Sequence, residues 1–265
     1  MAITTLDQYI AAASQRVQIL KTGSVTAIAL MNTQVLQAAG NPGAGTLAGT
    51  NTANGLVPTD ADAGFPVINA FGGGATGYIS NITFGSTVAS RITLFDCLFK
   101  AGAYAFNANT TLASQPSYSG RVIGGTDFTN TEIWIEAVTA FTGNQSIAVT
   151  YTNQSGTAAR TTGTIATGVA PIVGRMLQLP LQAGDTGIQK IESVVSTVST
   201  VGTFNVLVLR RLWSGRVSIV NGGDVHDFLK TGMPQIFDTS ALMAIVQPDS
   251  TATGIFELVV EVVNG

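Results

Sequence analysis

From residue 78 to its last residue, the chain consists of short segments in which apolar and polar residues alternate, separated by turn-forming residues. In segment 255–263, every second residue from Phe256 to Val262 is apolar, and the two glutamates fall between them. Such alternation places one set of side chains on one face of a β-strand, so the chain is constrained to a mainly β fold. The strands predicted in this way are 78–84, 89–95, 132–139, 146–152, 160–166, 175–180, 190–198, 203–213, 215–220, 242–247 and 255–263.

Turn signals connect these predicted strands at short intervals. In the stretch 132–166, the turn 142–144 separates the first two strands and the turn 153–156 separates the next two, as in an antiparallel meander. Short strands at regular spacing are typical of sandwiches and jelly rolls. The predicted fold class is therefore mainly β, an antiparallel β-sandwich or jelly roll.

The N-terminal region has a helical pattern. Apolar residues recur at spacings of three and four, which predicts a helix over 5–22, and Thr5 with Gln8 fits a capping box at its start. A second helix is predicted over 25–39, because a Gly-Asn-Pro sequence that ends helices follows it. The apolar residues that share a face in the first helix are Leu6, Tyr9, Ile10, Ala13, Val17 and Leu20.

Residues 40–77 are dense in Gly, Ala, Thr, Asn and Pro, which is turn and loop chemistry. An irregular segment of this length usually marks a functional loop or a linker. We expect a long loop or arm that lies along another surface. The chain is accordingly divided into an N-terminal helix plus extended arm, 1–77, and a jelly-roll-like β-sandwich domain, 78–265. On this division, removing residues 1–77 would leave a soluble β core.

Charged residues make up 10% of the 265 residues, against roughly 25% in an ordinary soluble domain. A surface with so few charges repels itself weakly, which suits a protein that is surrounded by other protein. The net charge of -3 and the scattered Lys and Arg residues predict no nucleic-acid partner. No stretch has the roughly eighteen consecutive apolar residues of a membrane helix, and the N-terminal segment lacks a signal-peptide pattern, so no membrane association is expected.

Gly72–Gly77 matches the GxGxxG pattern of dinucleotide sites. Such a site requires a helix after the glycines, so that the pyrophosphate meets the helix N-terminus. Here the residues that follow alternate like a strand, so the segment is predicted to be a flexible loop.

The only histidine, His226, lies between Asp224 and Asp227. A general base oriented by a carboxylate would use these residue types. The glycine turn that precedes them favours a surface loop or a helix cap instead. One histidine and one cysteine, Cys97, leave only carboxylates for the rest of a metal site. Cys97 lies in an apolar run and is predicted to be a small buried hydrophobe.

Glu132 and Glu136 fall on the same side of a predicted strand, roughly 13 Å apart by strand rise, farther than the carboxyl pairs of glycosidases. They are predicted to be solvated strand residues. If exposed, Trp134, Trp213 or Tyr118 would favour a sugar-binding platform, although core packing is the commoner use of a strand tryptophan. The sequence therefore predicts no catalytic, cofactor-binding or metal-binding residues and no enzymatic activity.

Three stretches resemble uncharacterised structural proteins of tailed bacteriophages and prophages. They are LDQYIAAASQ near the start, AGNPGAGTLAGTNTANGLVPTDADAGFPVINAFGG, and AGAYAFNANTTLASQPSYSGRVIGGTDFTNTEIWIEAVTAFTGNQSIAVTYTNQSG. The resemblance extends over most of the chain and consists of composition and phrase-like similarity. It is a similarity to head components such as capsid decoration or cement proteins.

The resemblance implies a β-sandwich that assembles, often as a trimer, on the outside of a capsid. The expected partners are further copies of the chain and the major capsid protein or other virion proteins, and the expected location is the virion, assembled in the host bacterial cytoplasm. The N-terminal region and the arm 40–77 would reach onto neighbouring subunits. The alternative is a tail, baseplate or fibre component whose β-sandwich binds a glycan or a receptor.

Overall fold

The computed structural model describes residues 3–46, 51–73, 75–106, 109–144, 146–168, 172–196 and 201–265. Within them the protein is mainly β, and all strand pairs are antiparallel. The helices are α1 (Leu6–Ala11), α2 (Phe228–Thr231) and a 3-10 turn (Ser119–Arg121). The strands are β1 (Ala13–Lys21), β2 (Thr33–Gln34), β3 (Gly40–Asn41), β4 (Asn51–Leu56), β5 (Gly77–Ser86), β6 (Ser90–Ala105), β7 (Thr110–Thr111), β8 (Thr131–Ala137), β9 (Ser146–Asn153), β10 (Arg160–Thr161), β11 (Ile165–Ala166), β12 (Met176–Leu179), β13 (Ile188–Ser196), β14 (Thr203–Val217), β15 (Gly222–His226), β16 (Gln235–Ile236), β17 (Leu242–Pro248) and β18 (Phe256–Asn264).

These strands form three sheets, which confirms the β-sandwich class. The central sheet has the order β12-β8-β14-β6-β17-β2, with β4 also paired to β6. The terminal sheet has the order β15-β5-β18-β1-β3, with β16 also paired to β5. The distal sheet has the order β10-β9-β13-β7, with β11 also paired to β9.

Two long neighbouring strands, β6 and β14, run through both halves of the molecule. They have 16 and 15 residues and pair from Ser90 with Val217 to Ala105 with Thr203. At one end they pack against the terminal sheet around Phe84, and at the other end against the distal sheet around Tyr151. The molecule is therefore two sandwiches that share one central sheet.

The helix predicted over 5–22 ends at Ala11. Its capping box is present, because Thr5 and Gln8 bond each other's backbone N–H groups. The prediction is wrong for residues 13–21, which form β1 and pair with β18 along its whole length. Burial alternates through Val17, Ile19 and Lys21, so the pairing with β18 outweighs the helical spacing.

The helix predicted over 25–39 is absent, and that prediction is wrong. Only Thr33–Gln34 is regular there, and it pairs with β17. Val35 packs in the core beneath the terminal sheet, whereas Leu36 packs on the opposite, outer face of the central sheet. The chain turns directly after β2, where the Ala38 N–H donates to the Val35 carbonyl, and the two side chains separate at this turn.

Much of the described part of segment 40–77 lies against the rest of the same chain. Phe65 and Ile68 are buried. Phe65 covers the outer face of the central sheet, in the same apolar cluster as Trp134 of β8. This packing differs from the expected reach onto a neighbouring subunit. The division at residue 77 stays a prediction about domains, but deletion of residues 1–77 would remove β1 from the terminal sheet and uncover buried surface.

Lys21, at the end of β1, holds the segment that follows. Its side chain is buried, and Nζ donates to the carbonyl oxygens of Leu36, Ala38, Pro42 and Gly43 at 3.0–3.4 Å. Burial lowers the pKa of Lys21 to about 8. One ammonium group thus contacts four carbonyl oxygens of the segment that follows β1.

Candidate assembly surface

Helix α1 presents its apolar side chains to solvent. None of its six residues is buried, and Leu6 and Ile10 are 63% and 72% exposed. The helix contacts the body through Tyr9, whose ring centroid lies 5.4 Å from that of Phe228 in α2. A six-residue helix is marginal in water. Contiguous apolar patches that are exposed on a protein surface are typical of interaction sites.

The segment 219–229 continues this apolar surface along the outer edge of the terminal sheet. It contains the β14–β15 turn, strand β15 and the start of α2. Its exposed apolar side chains are Ile219, Val220, Val225, Phe228 and Leu229, of which Leu229 is 78% exposed. Together with Leu6 and Ile10 they form what we call the apolar edge. It holds half of the large apolar side chains that are exposed among the described residues.

The backbone of the apolar edge belongs to an edge strand. Strand β15 pairs with β5 on one side and is the last strand of the terminal sheet. Within this strand, the backbone N–H of Val225 donates a hydrogen bond to the Asp224 carboxylate at 2.8 Å. This bond lowers the pKa of Asp224. An edge strand with apolar side chains is a template for pairing with another chain.

The histidine cluster stabilises this edge. Trp213 Nε1 donates to His226 Nδ1 at 3.0 Å, and His226 Nε2 lies 3.5 Å from an Asp224 carboxylate oxygen. Asp227 is the N-cap of α2 and accepts from the backbone N–H of Lys230. The predicted helix cap is therefore confirmed at Asp227. His226 uses Nδ1 to fix its own strand to β14, which is a structural role.

The glycine motif leads into a strand. The described residues of segment 72–76 are irregular, and β5 begins at Gly77. No helix follows the glycines, so the geometry that a dinucleotide site needs is missing here. The loop interpretation of these residues is confirmed.

The two strand glutamates differ from each other. Glu132 is partly exposed and accepts from Trp134 Nε1 at 2.8 Å and from Arg211 Nε at 2.9 Å. Glu136 is fully buried beside Lys100, so its prediction as a solvated residue is wrong. Glu136 can be buried because it is paired with the cation of Lys100. Lys100 projects from the same face of the sheet, on β6, which is separated from β8 by β14.

The tryptophans lie in the core, as their strand positions predict. Trp134 packs on the outer face of the central sheet, and Trp213 packs edge-on against Phe84 with ring centroids 4.7 Å apart. Tyr118 is also buried, and its hydroxyl donates to the Ile188 carbonyl. These rings therefore form no sugar-binding platform.

Cys97 is fully buried, which confirms its prediction as a small hydrophobe, and burial raises its pKa to about 12. Within the described ranges, no group of three His, Cys, Asp or Glu side chains has a metal-binding arrangement. Neither described helix has the length and hydropathy of a membrane span.

The apolar edge was only partly visible in the sequence. The sequence places Leu6 and Ile10 on one helix face, but it does not show that this face is exposed. The strand predicted at 215–220 ends in apolar residues directly before an Asn-Gly turn, and this is the signal for exposed side chains at the turn. Leu229 follows the helix cap and carried no periodic signal.

The architecture defines a β-sandwich protein in which two sandwiches share one sheet. No family model matches the chain, and no curated protein matches it. Among solved structures, that of infectious bursal disease virus strain Gx is 10% identical and aligns over 96% of this chain and 80% of its own, with a TM-score of 0.17. The VP2 subviral particle of infectious bursal disease virus is 11% identical over 95% and 78%, with a TM-score of 0.18. TM-scores of this size carry no argument about this chain.

Proposed function

We propose that the protein is a structural component of a virus particle, a capsid decoration or cement protein that forms closed oligomers and binds the outside of a phage head. The observation that carries the assembly role is the apolar edge on a chain with few charges. The sequence resemblance to structural proteins of tailed phages supports the setting in the virion.

The apolar edge has the composition of an interface centre. Its side chains are aliphatic or aromatic, and Asp7 and Lys230 lie on the same two helices as Leu6 and Leu229. Interfaces concentrate their energy in such apolar centres, with charged residues at the rim. A second copy offers both an apolar surface and charges of either sign, so homo-oligomers about a symmetry axis follow naturally.

The native mass of the purified protein, measured by light scattering after size exclusion, tests the oligomer. We expect three times the mass of one chain. Leu229→Lys and Ile10→Lys place a charge in the apolar edge and should give monomers with an unchanged circular dichroism spectrum. Val67→Lys is the matched control, because Val67 is 70% exposed but lies outside the apolar edge, and its native mass should equal that of the wild type.

Co-sedimentation with phage heads tests the second part of the proposal. Heads of the phage that encodes the chain should bind the wild type and the control variant at a fixed number of copies. A wild type that stays monomeric at high concentration and does not sediment with heads would rule out the decoration role. The alternative tail or receptor-binding role loses its expected support, since the aromatic residues named for a glycan platform are buried.

A further inference from the structure

Three polar side chains from three adjacent strands meet inside the protein. Lys100 of β6 is 8% exposed, and Glu136 of β8 and Asn205 of β14 are not exposed at all. Lys100 Nζ lies 3.4 Å from Glu136 Oε2, and Asn205 Nδ2 donates to the same oxygen at 2.7 Å. Because both nitrogens contact one oxygen atom, the lysine amine and the asparagine amide are neighbours.

The strand register creates this cluster. Asn205 lies directly opposite Glu136, and Lys100 lies opposite Leu207, two residues further along β14. Residues two apart on a strand share a face, so all three side chains project from the same face of the central sheet. Trp134, opposite Leu207, lies beside them on this face.

The backbone also makes room for the amide. A Cβ atom on Gly102 would come within 2.1 Å of Asn205 Oδ1, and the φ angle of Gly102 is +150°. Glycine is the residue that allows the amide to lie there. Glu136 Oε1 is buried and has no hydrogen-bond partner among the described residues. A buried Lys–Glu pair seldom stabilises a fold more than apolar residues of the same volume, so this cluster is poorly explained by stability.

We propose that Lys100 and Asn205 form an intramolecular isopeptide bond, with Glu136 as the catalytic acid and base. Transfer of a proton from the lysine ammonium to the Glu136 carboxylate leaves a neutral amine, which is the nucleophilic form of the lysine side chain. The amine nitrogen adds to Cγ of Asn205, and a new C–N bond forms. The Cγ–Nδ2 bond then breaks, and Nδ2 leaves as ammonia.

Glu136 is placed to move both protons. Its Oε2 contacts the attacking nitrogen and the leaving nitrogen, so it accepts a proton from the first and delivers a proton to the second. The lysine nitrogen loses two protons in all: one leaves with the ammonia, and the second remains on Glu136, which ends as the neutral acid. The reaction consumes no oxidant, reductant or cofactor. Fixed neighbouring strands supply the proximity that makes attack on an unactivated amide feasible. This inference is independent of the assembly role.

The intact mass of the denatured full-length protein tests the bond. We expect a mass lower than that of the sequence by one ammonia molecule. A tryptic digest should contain one branched peptide that joins the segments around Lys100 and Asn205, with no cleavage after Lys100. A folded wild type with the full mass and a linear peptide at Lys100 would overturn the proposal.

Variants identify the role of each residue. Glu136→Gln and Asn205→Ala should fold and show the full mass, and Lys100→Arg should do the same. Glu132→Gln is the matched control, because Glu132 lies on the same strand and face but does not contact Lys100, and it should keep the mass deficit. If Glu136→Gln fails to fold, the peptide map of the wild type still decides the matter.

The location of a mass deficit separates the isopeptide bond from another reaction. Succinimide formation at an Asn–Gly pair, such as Asn221–Gly222, also releases ammonia but leaves a linear peptide. A deficit that maps to such a linear peptide would refute the isopeptide bond.

Discussion

Asp96 on β6 and Arg210 on β14 form a buried ion pair, with Nη2 of the arginine 3.3 Å from Oδ2 of the carboxylate. Arg121 binds the other carboxylate oxygen and also donates to the carbonyl of Pro58. Ser240 adds a hydrogen bond of 2.9 Å to Oδ2. The Asp96 carboxylate thus connects β6 with β14, with the 3-10 turn and with the loop that contains Ser240. Through Arg121, this connection also reaches Pro58 in segment 40–77.

We predict that Asp96→Asn lowers the free energy of unfolding by about 3–5 kcal/mol, because two buried guanidinium groups lose their counter-charge. Urea unfolding measures this loss. Asp249→Asn breaks the exposed pair with Arg216 and should cost less than about 1 kcal/mol. Equal losses for the two variants would contradict the role of Asp96.

The buried lysine predicts a stability that rises with pH. The folded protein releases the Lys21 proton near pH 8, whereas the unfolded chain keeps it up to about pH 10.5. Between these values the unfolded state binds more protons, so the free energy of unfolding increases by up to about 3 kcal/mol.

The variant Lys21→Met isolates this effect. Unfolding by urea at several pH values between 7 and 10.5 should give wild-type and variant curves whose difference changes across the window. Ionisation of Cys97 and of the tyrosines affects both proteins equally and cancels in the difference. Parallel curves would show that Lys21 keeps its proton in the folded state.

Cys97 should be unreactive toward thiol reagents in the folded protein. Its thiol is buried, and a pKa raised to about 12 leaves almost no thiolate at pH 8. We expect modification at the rate of global unfolding, several orders of magnitude slower than for an exposed thiol. Val67→Cys supplies the exposed thiol as a control, and equal rates at the two cysteines would disprove the burial of Cys97.

Gly215 lies under two aromatic rings. A Cβ atom there would come within 2.4 Å of the Trp213 ring and 2.7 Å of the Phe84 ring. Gly215→Ala should therefore cost about 1–3 kcal/mol through overpacking, measured as a lower thermal midpoint. Gly72→Ala meets no atom within 4 Å and should change stability by less than about 0.5 kcal/mol. A wild-type midpoint for Gly215→Ala would indicate that the rings move aside.

Strands with one buried face were predictable from the sequence. The last strand was expected at 255–263 and lies at Phe256–Asn264, and the strand expected at 146–152 lies at Ser146–Asn153. Both have polar residues on one face, so the alternation is visible. The strand predicted at 89–95 extends to Ala105 as β6, because the buried run 92–102 is covered on both faces and shows no alternation.

The remaining errors come from partners that are distant in sequence. Lys100 and Asp96 carry charges within β6, and their burial depends on Glu136 and Arg121, which lie 36 and 25 residues away. Local periodicity carries no information about such pairs. The exposure of Leu6 also depends on a contact that is distant in sequence. Helix α1 is positioned by the packing of Tyr9 on Phe228, and the local sequence does not reveal this contact.

The shared strands β6 and β14 also relate the direction of the distal sheet to that of the terminal sheet. A strand of 16 residues is about 50 Å long, and β6 with β14 crosses both sandwiches without a linker. The two halves are therefore connected by two continuous, paired strands. A copy that is held at its apolar edge would fix the direction in which the opposite end points, so a ring of copies would carry its distal sheets at one defined angle.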